Sequence, residues 1–495
     1  MTGMRAAGAR GVNPKVAIRL IYVAAMFLVA MDATIVNVSL PAICEELGVS
    51  PAQAGTVNIG YLMAVALTLP LAGWLGERFG GKRVLLSAIA VFTAASVCCG
   101  LAGSLEGLIL FRIIQGAAGG LIAPVGMALL FRAFPPEERA NLSRSLVLPI
   151  AVAPAVGPVL GGFFVETLSW RWCFYINLPI GAAAFALGLA GLAAAGRPQR
   201  SGRLDWIGLL LSAPGFAMVI YALSQGSMRG WASPEIVATG LLGAVLLAAM
   251  TARSLRMPAP LLQLGLLSQR LYRTAGLIAL CSSAGLLGML YVFPLMYQNL
   301  FGASALHTGL TTFPEALGLM AASQCMPWSV RKLGVRRVIA VALLCAMAVF
   351  GALSLVQADT NAWLVRLLLL CGGFTLGHSV GAVQLLAFAR IEPPRMGQAT
   401  MLFQVQNRFG SALGVAVIGS VLAAGTAGAA ADAALAAGPG AWGYRAALLA
   451  AAAFLALAWV LALTLRERDT AGVAVRRPQA SAAAPAEAAK APPAS

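Results

Sequence analysis

Charge is what this chain has least of. Only 10% of its 495 residues are charged; 17 are acidic, and there are two histidines. Soluble domains carry about 25% charged residues, so a globular protein surrounded by water is excluded. Most of the core must be built against lipid. No histidine stands at ligand spacing from a cysteine. The eight cysteines (44, 98, 99, 173, 281, 325, 345 and 371) show no C-x-x-C pair, and all but one lie in apolar runs. There a thiol behaves as a small hydrophobe. Neither a disulfide framework nor any metal or cofactor is expected.

The shortage of acid leaves a formal charge of +17. A nucleic-acid partner would require that charge to gather on one face, and it does not. With the N-terminus placed in the cytoplasm, every Lys and Arg except Arg112, Arg366, Arg408, Arg171, Arg229 and Arg445 falls in the N-terminal segment, an even-numbered loop or the C-terminal tail. That is the positive-inside pattern. The charge reports topology in a bilayer, not a nucleic-acid partner.

Apolar sequence is what remains, at 60% of the chain. About 20 apolar residues span a hydrocarbon core ~30 Å thick, and runs of that length recur fourteen times between residues 17 and 465. The even count puts both termini in the cytoplasm, and the expected fold is an all-α polytopic membrane protein. The basic start before the first run resembles a signal peptide. However, that run exceeds 20 residues and no A-x-A stands at its end, so the first helix is expected to be retained. The stretch 467–495, rich in Ala and Pro, cannot bury enough apolar surface to fold and is expected to be a disordered cytoplasmic tail.

The chain repeats itself at an offset of 254: RFGGKRV at 78–84 matches KLGVRRV at 332–338, and Arg112 falls on Arg366. Two pseudo-symmetric six-helix bundles, 17–195 and 272–465, therefore flank a two-helix insertion at 205–252. Repeated halves with a midplane site between them are the mark of secondary transporters.

Against this background the few charges within spans stand out. Arg112 lies in LEGLILFRIIQGAAGGLIAPVGMA, 105–128, where an arginine costs from ~2.5 to more than 10 kcal/mol unless it is paired or wet. Asp32 in the first span lies at a similar depth if that helix leaves the membrane near residue 40, so pairing across a cavity is expected. Two roles fit such a pair. A carboxylate balanced between desolvation and a neighbouring Arg can take up and release a proton, whereas a permanently ionised pair only holds two helices together. Glu315, after Pro314, is the other acid deep in a span, either as a proton or cation site or at a wet helix end.

Three other stretches carry motif-like spacing. In 146–165, Ala153, Gly157 and Gly161 recur every four residues with Pro149, Pro154 and Pro158 between them, a close-packing face on a bent helix. GWLGERFGGKRV at 73–84 approaches a phosphate loop, but Arg83 stands where Ser or Thr should hold magnesium and no strand precedes it. GHSVG at 377–381 matches a serine-hydrolase elbow without its strand–turn–helix context. His378, adjacent to Ser379 on a helix, does not face it. An intramembrane serine hydrolase using Ser379 is the alternative from another functional class; an enzyme is not expected.

Taken together, these residues resemble the major facilitator superfamily, in its fourteen-helix drug:proton antiporter branch. The first-helix signature is similar to Asp32-Ala-Thr-Ile-Val-Asn37-Val-Ser-Leu-Pro41. The loop motif is similar to Gly73–Arg83, including Arg78, Gly80 and Lys82, with Glu77 where aspartate is usual. The fourth-helix motif is similar to Leu108, Arg112, Gln115, Gly116 and Gly120. The antiporter motif is similar to Gly157-Pro158 and Gly161-Gly162, with Ala153 in place of its leading glycine. WRWCFYINLPIG (170–181) and LDWIG (204–208) resemble signatures of the fourteen-helix branch.

The resemblance implies a multi-pass protein of the cytoplasmic (inner) membrane that exports amphipathic compounds, cationic ones among them, by alternating access driven by proton entry. Export of an endogenous metabolite or amino acid is the alternative among transporters. Asp32 and Arg112 would couple to protons, while Glu315, Asn37, Gln115 and Arg366 would line the cavity or supply a second acid. Glu77 would meet a helix N-terminus of the other half and hold one conformation. The expected partners are protons, a small amphipathic substrate and the bilayer. The short outer stretch 425–441 argues against an obligatory periplasmic adaptor.

Overall fold

A computed structural model describes residues 13–134, 138, 142–191, 204–257, 260–303, 305–357, 359–429 and 440–466, and among these there is no strand. The tail 467–495 and the centre of 425–441 lie outside the described residues, as do the side chains of Asn37 and Pro158.

The N-terminal helices are α1 (Pro14–Leu47), α2 (Pro51–Thr68), the short α3 (Leu71–Leu75), α4 (Gly81–Leu101), α5 (Leu105–Ala133), α6 (Ser143–Thr167), α7 (Trp172–Tyr175) and α8 (Asn177–Gly191). An added pair follows, α9 (Trp206–Arg229) and α10 (Pro234–Ser254). The C-terminal helices are α11 (Arg270–Asn299), α12 (Ala305–Leu333), α13 (Val335–Leu353), α14 (Ala362–Ala387), α15 (Met396–Ala429) and α16 (Gly440–Leu463). Each of the fourteen expected spans falls on one helix or on two consecutive ones. Among the described residues, eleven helices are long and apolar enough to cross a membrane; α2, α6 and α12 are not among them.

Polar residues between the runs start and stop the helices. Asn13 caps α1, and Ser50 with Gln53 forms a capping box on α2. Ser104, Asp205 and Asn361 each accept an N–H in the first turn of α5, α9 and α14. Gly48 ends α1 at φ 64°, a conformation that costs glycine little because it has no Cβ. α1 does not stop near residue 40 but continues through Pro41 to Leu47.

Packing follows the repeat. α1 packs on α6 and α8, α2 on α5, and α4 on α5 and α8. In the same order, α11 packs on α15 and α16, α12 on α14, and α13 on α14 and α16. Gly80 and Gly334, equivalent in the two copies, lie at φ 87° and 81° immediately before α4 and α13. The halves meet where α6 packs on α12 and where α15 packs on α3 and α5. α9 lies against both α2 and α15, bridging the halves along one seam.

Candidate functional site

The two charges expected to pair do so. Arg112 on α5 donates through Nη1 to Asp32 Oδ2 on α1. The Asp32 side chain is 0% exposed and that of Arg112 1%, so the contact is direct and dry rather than spread across a cavity. Because α1 runs on to Leu47, Asp32 stands 18 residues from its first residue and 15 from its last, about 27 Å and 22 Å along the axis. That is nearer the middle of the helix than a span ending at residue 40 would place it.

The other Asp32 oxygen is also satisfied. Gln115 Nε2 donates to Oδ1 at 2.9 Å, and Asn177 Nδ2 from the start of α8 donates at 3.2 Å. Gln115 Oε1 in turn accepts from Arg112 Nη1 at 2.9 Å. Asn177 also reaches Ser96 Oγ at 2.9 Å, and Ser96 donates to the Phe174 carbonyl at 2.9 Å. On the opposite side the guanidinium lies over the Tyr61 ring, 4.2 Å from its centroid, with Asn58 Oδ1 3.4 Å from Nη2. A buried ion pair is tolerable when its remaining lone pairs and protons are satisfied. Here α2, α5 and α8 supply partners to the pair, while Arg112 Nε stays without one.

Glycines set the approach of these helices. A Cβ at Gly116 would meet the Tyr61 carbonyl, and one at Gly120 would lie 2.7 Å from the Val65 carbonyl. Removing those side chains lets α5 and α2 touch backbone to backbone and brings Tyr61 over Arg112. On α6, Gly157 abuts Thr34 and Gly161 abuts Ile35, so this face packs on α1 just past Asp32. Gly162 has open space where a Cβ would go and takes no part in that contact.

Sequence reasoning did not single out Asn177, Asn58, Ser96 or Tyr61. The signal available was a neutral polar residue inside an apolar run, as in FYINLPIG and TVNIGY. Conversely, the repeat-related Arg366 does not reproduce Arg112. It is half-buried, lies 4.8 Å from the Trp363 ring centroid, and its Nε has no partner. At the same offset Asp32 corresponds to Leu286, so the C-terminal half lacks the acid.

Glu315 is not at a wet helix end. It is 3% exposed within α12, and its Oε1 makes no hydrogen bond. Its backbone is pressed against Gly373 of α14, and Gly377 packs on Leu319 and Ala322. Small residues of GHSVG thus serve a helix–helix contact. His378 Nε2 lies 3.2 Å from Ser329 Oγ and Nδ1 2.9 Å from the Phe374 carbonyl, while Ser379 Oγ is buried without a partner. The histidine faces away from Ser379, and no hydrolase pair is formed.

At the end of the bundle that carries the basic loops, α15 closes against α3 and α5. Glu77 is bonded to Gln398 and faces the Arg132 charge. A Cβ on Gly397, in the first turn of α15, would lie 3.5 Å from Glu77 Oε1. A Cβ on Gly73 would lie 3.1 Å from the Gln398 amide. Thr400 Oγ1 donates to the Pro124 carbonyl at 3.0 Å, and Phe131 packs on Phe388 with centroids 4.7 Å apart. Arg78 and Arg83 are exposed, and Lys82 is half-buried.

Two repeated helical bundles with a charged, hydrogen-bonded network inside one of them define a membrane transporter scaffold. The chain belongs to the Major Facilitator Superfamily, whose family model matches residues 22–415. It is a multi-pass membrane transporter for small substrates and not an enzyme. It is 29% identical over 404 residues to the Multidrug resistance protein B homolog of Mycobacterium tuberculosis (strain ATCC 25618 / H37Rv), covering 81% of this chain and 75% of that one. It is 31% identical over 397 residues to the Putative multidrug resistance protein MdtD of Yersinia pestis (strain Pestoides F), covering 80% and 85%. In fold it is similar to the human organic anion transporter MFSD10 (TETRAN), with a TM-score of 0.66 at 14% identity, over 91% of this chain and all of that one.

Proposed function

We propose that this chain exports amphipathic compounds across the cytoplasmic membrane in exchange for protons, by alternating access between its two halves. The observation that carries the reading is the buried carboxylate of Asp32, held inside the first helix by Arg112, Gln115 and Asn177. Protonating Asp32 removes its charge and leaves Arg112 without a counter-ion in a low-dielectric site. Breaking such a pair by neutralising one partner costs several kcal/mol, enough to favour a conformation in which the guanidinium finds water or another anion. Proton arrival thereby becomes a force on the packing of α1, α5 and α8.

The closed basic end fits one endpoint of that cycle. Glu77, Gln398, Gly397 and Thr400 join the halves there, and an anion near a helix N-terminus is favoured by about 0.3–1 kcal/mol. An inward proton contributes about 2.3 kcal/mol per 100 mV, sufficient to drive a neutral or monovalent cargo outward. Glu315, buried with an unbonded oxygen, is the candidate second acid. The names of the two bacterial relatives agree with drug-like cargo.

The test is a compound-susceptibility panel in a pump-deficient host with and without expression, repeated with an uncoupler. Resistance that appears with expression and collapses with the uncoupler is expected. Resistance that survives the uncoupler would remove proton coupling.

A further inference from the structure

Arg408 is the intramembrane charge that the Asp32 network does not use. It lies 12 residues into α15, within the apolar span Met396–Gly425, so about 18 Å along the helix from its start. That places the guanidinium inside the apolar span and not at its end. Unlike Arg112 it is exposed, and no ion pair among the described residues engages it.

A guanidinium facing hydrocarbon there would carry the heavy cost of a charge in lipid, so its face is assigned to the aqueous path. Gln404 and Ser411, one turn to either side, are partly exposed with it, and polar side chains at that depth line water-filled cavities, not hydrocarbon. The opposite face of α15 is packed, with Gly410 and Gly414 against the backbone of Leu280 and Ala284 on α11. The charge of Arg408 acts on the phenol of Tyr61, whose ring covers Arg112 and whose hydroxyl has no partner. Arg408, on the C-terminal half, is thus near enough to Tyr61 on the N-terminal half for their charges to interact. The other intramembrane acids are not available to it: Asp32 is paired with Arg112, and Glu315 is buried within α12 and in no ion pair among the described residues.

An exposed guanidinium inside an apolar span, with no anion paired to it, is a receptor for an anion. We infer that Arg408 binds an acidic group on the cargo, so that the transporter favours amphipathic carboxylates over cations. This rests on the export reading above and narrows its cargo class. A guanidinium grips a carboxylate with two parallel N–H donors, while the apolar remainder of the cargo meets the apolar walls. Export of an anion and entry of a proton both run with an inside-negative potential, so the two movements reinforce one another.

The test uses pyrenebutyrate and its methyl ester as a matched pair, with ethidium as a cation. Binding is followed by fluorescence on the purified full chain in nanodiscs, for wild type, Arg408→Gln and Arg408→Lys. The expected result is that wild type prefers the acid over the ester, and that Arg408→Gln weakens the acid at least about tenfold, the scale of a lost charged hydrogen bond. Ester binding stays unchanged, and Arg408→Lys keeps most of the preference. Equal affinity for acid and ester in wild type, or equal weakening of both by Arg408→Gln, overturns the assignment. The same probes in proton-energised inverted vesicles test export separately. Acid preference in nanodiscs with no energised movement of any probe would remove the export reading and leave the anion site standing. Energised ethidium movement without acid preference would do the reverse.

Discussion

The hydroxyl of Thr400 on α15 reaches the carbonyl of Pro124 on α5 at 3.0 Å, joining the two halves, yet it has acceptors equally close on its own helix. Met396 O is at 2.9 Å and Gly397 O at 3.0 Å. One proton is thus shared between a bond across the halves and two within a turn. Were the halves to part, the hydroxyl would keep a partner on its own helix, so this joint could open without stranding a buried donor.

Thr400→Val is therefore expected to favour opening at the basic end. A net hydrogen bond is worth about 0.5–1.5 kcal/mol, roughly two- to twelvefold in population. Glu77→Ala, which removes the partner of Gln398, should act in the same direction. The measurement is the labelling rate of a cysteine introduced at Ala128, one turn beyond Pro124. An unchanged rate in both variants would show that these bonds do not hold the gate.

Asp32→Asn should abolish proton-driven transport while the protein still inserts, because an amide cannot carry the proton. Arg112→Ala should be worse for the fold, since it leaves a buried carboxylate unpaired at a cost of about 3–5 kcal/mol. Thermal midpoints beside flux measurements separate the two effects. Undiminished proton-driven flux in Asp32→Asn removes that residue from coupling.

Gly373→Val is expected to destabilise the packing of α14 on α12 by about 1–3 kcal/mol, the usual cost of overpacking. Its Cβ would run into the Glu315 backbone, which has no side-chain freedom to yield. Gly162→Val, at a glycine with open space around it, should be nearly neutral by the same thermal measurement.

Glu46, beyond the membrane-spanning part of α1, accepts from Arg171 at 2.6 Å and Trp170 at 2.7 Å. The Arg171 hydrogen bond holds its carboxyl below the usual carboxylate range. For a depressed acid, the stabilisation is fully present above the unfolded pKa, about 4.3, and is lost as the pH falls through the lower folded value. The thermal midpoint difference between wild type and Glu46→Gln should be constant above about pH 5 and vanish towards pH 3. A difference that grew on acidification would contradict the assignment.

Ser379→Ala should leave transport untouched, because Ser379 Oγ makes no bond and His378 is turned to Ser329. Loss of flux in that variant, with normal insertion, would give the serine a role that its surroundings do not suggest.

Much of this arrangement was legible beforehand because lipid leaves few choices. A bilayer sets span length, so apolar runs fell on helices. A guanidinium at membrane depth demands an anion, and Asp32 was the acid at a matching level. Gly80 and Gly334 show that the repeated loop is a repeated backbone. The unread parts have physical reasons as well. Asn177 and Asn58 are neutral, so nothing in the sequence forces a particular partner on them. The offset relating Arg112 to Arg366 fixes position but not surroundings, and the second copy has Leu286 where the acid would stand. Pro41 looks like an end to α1, but an internal proline removes one i→i−4 bond and crowds one carbonyl, which a helix can absorb by bending. The helix passes through Pro41 and continues to Leu47.

The added hairpin has a mechanical meaning. Trp231, just beyond α9, bonds Ser420 of α15 at 2.6 Å, and a Cβ on Gly419 would lie 3.0 Å from Ser227 Oγ of α9. These ties fasten the hairpin to the C-terminal bundle. Its contact with α2 is then the surface left to slip. A displacement of one bundle past the other would drag this outrigger along, so on that flank lipid would meet a moving bearing instead of a bare crack.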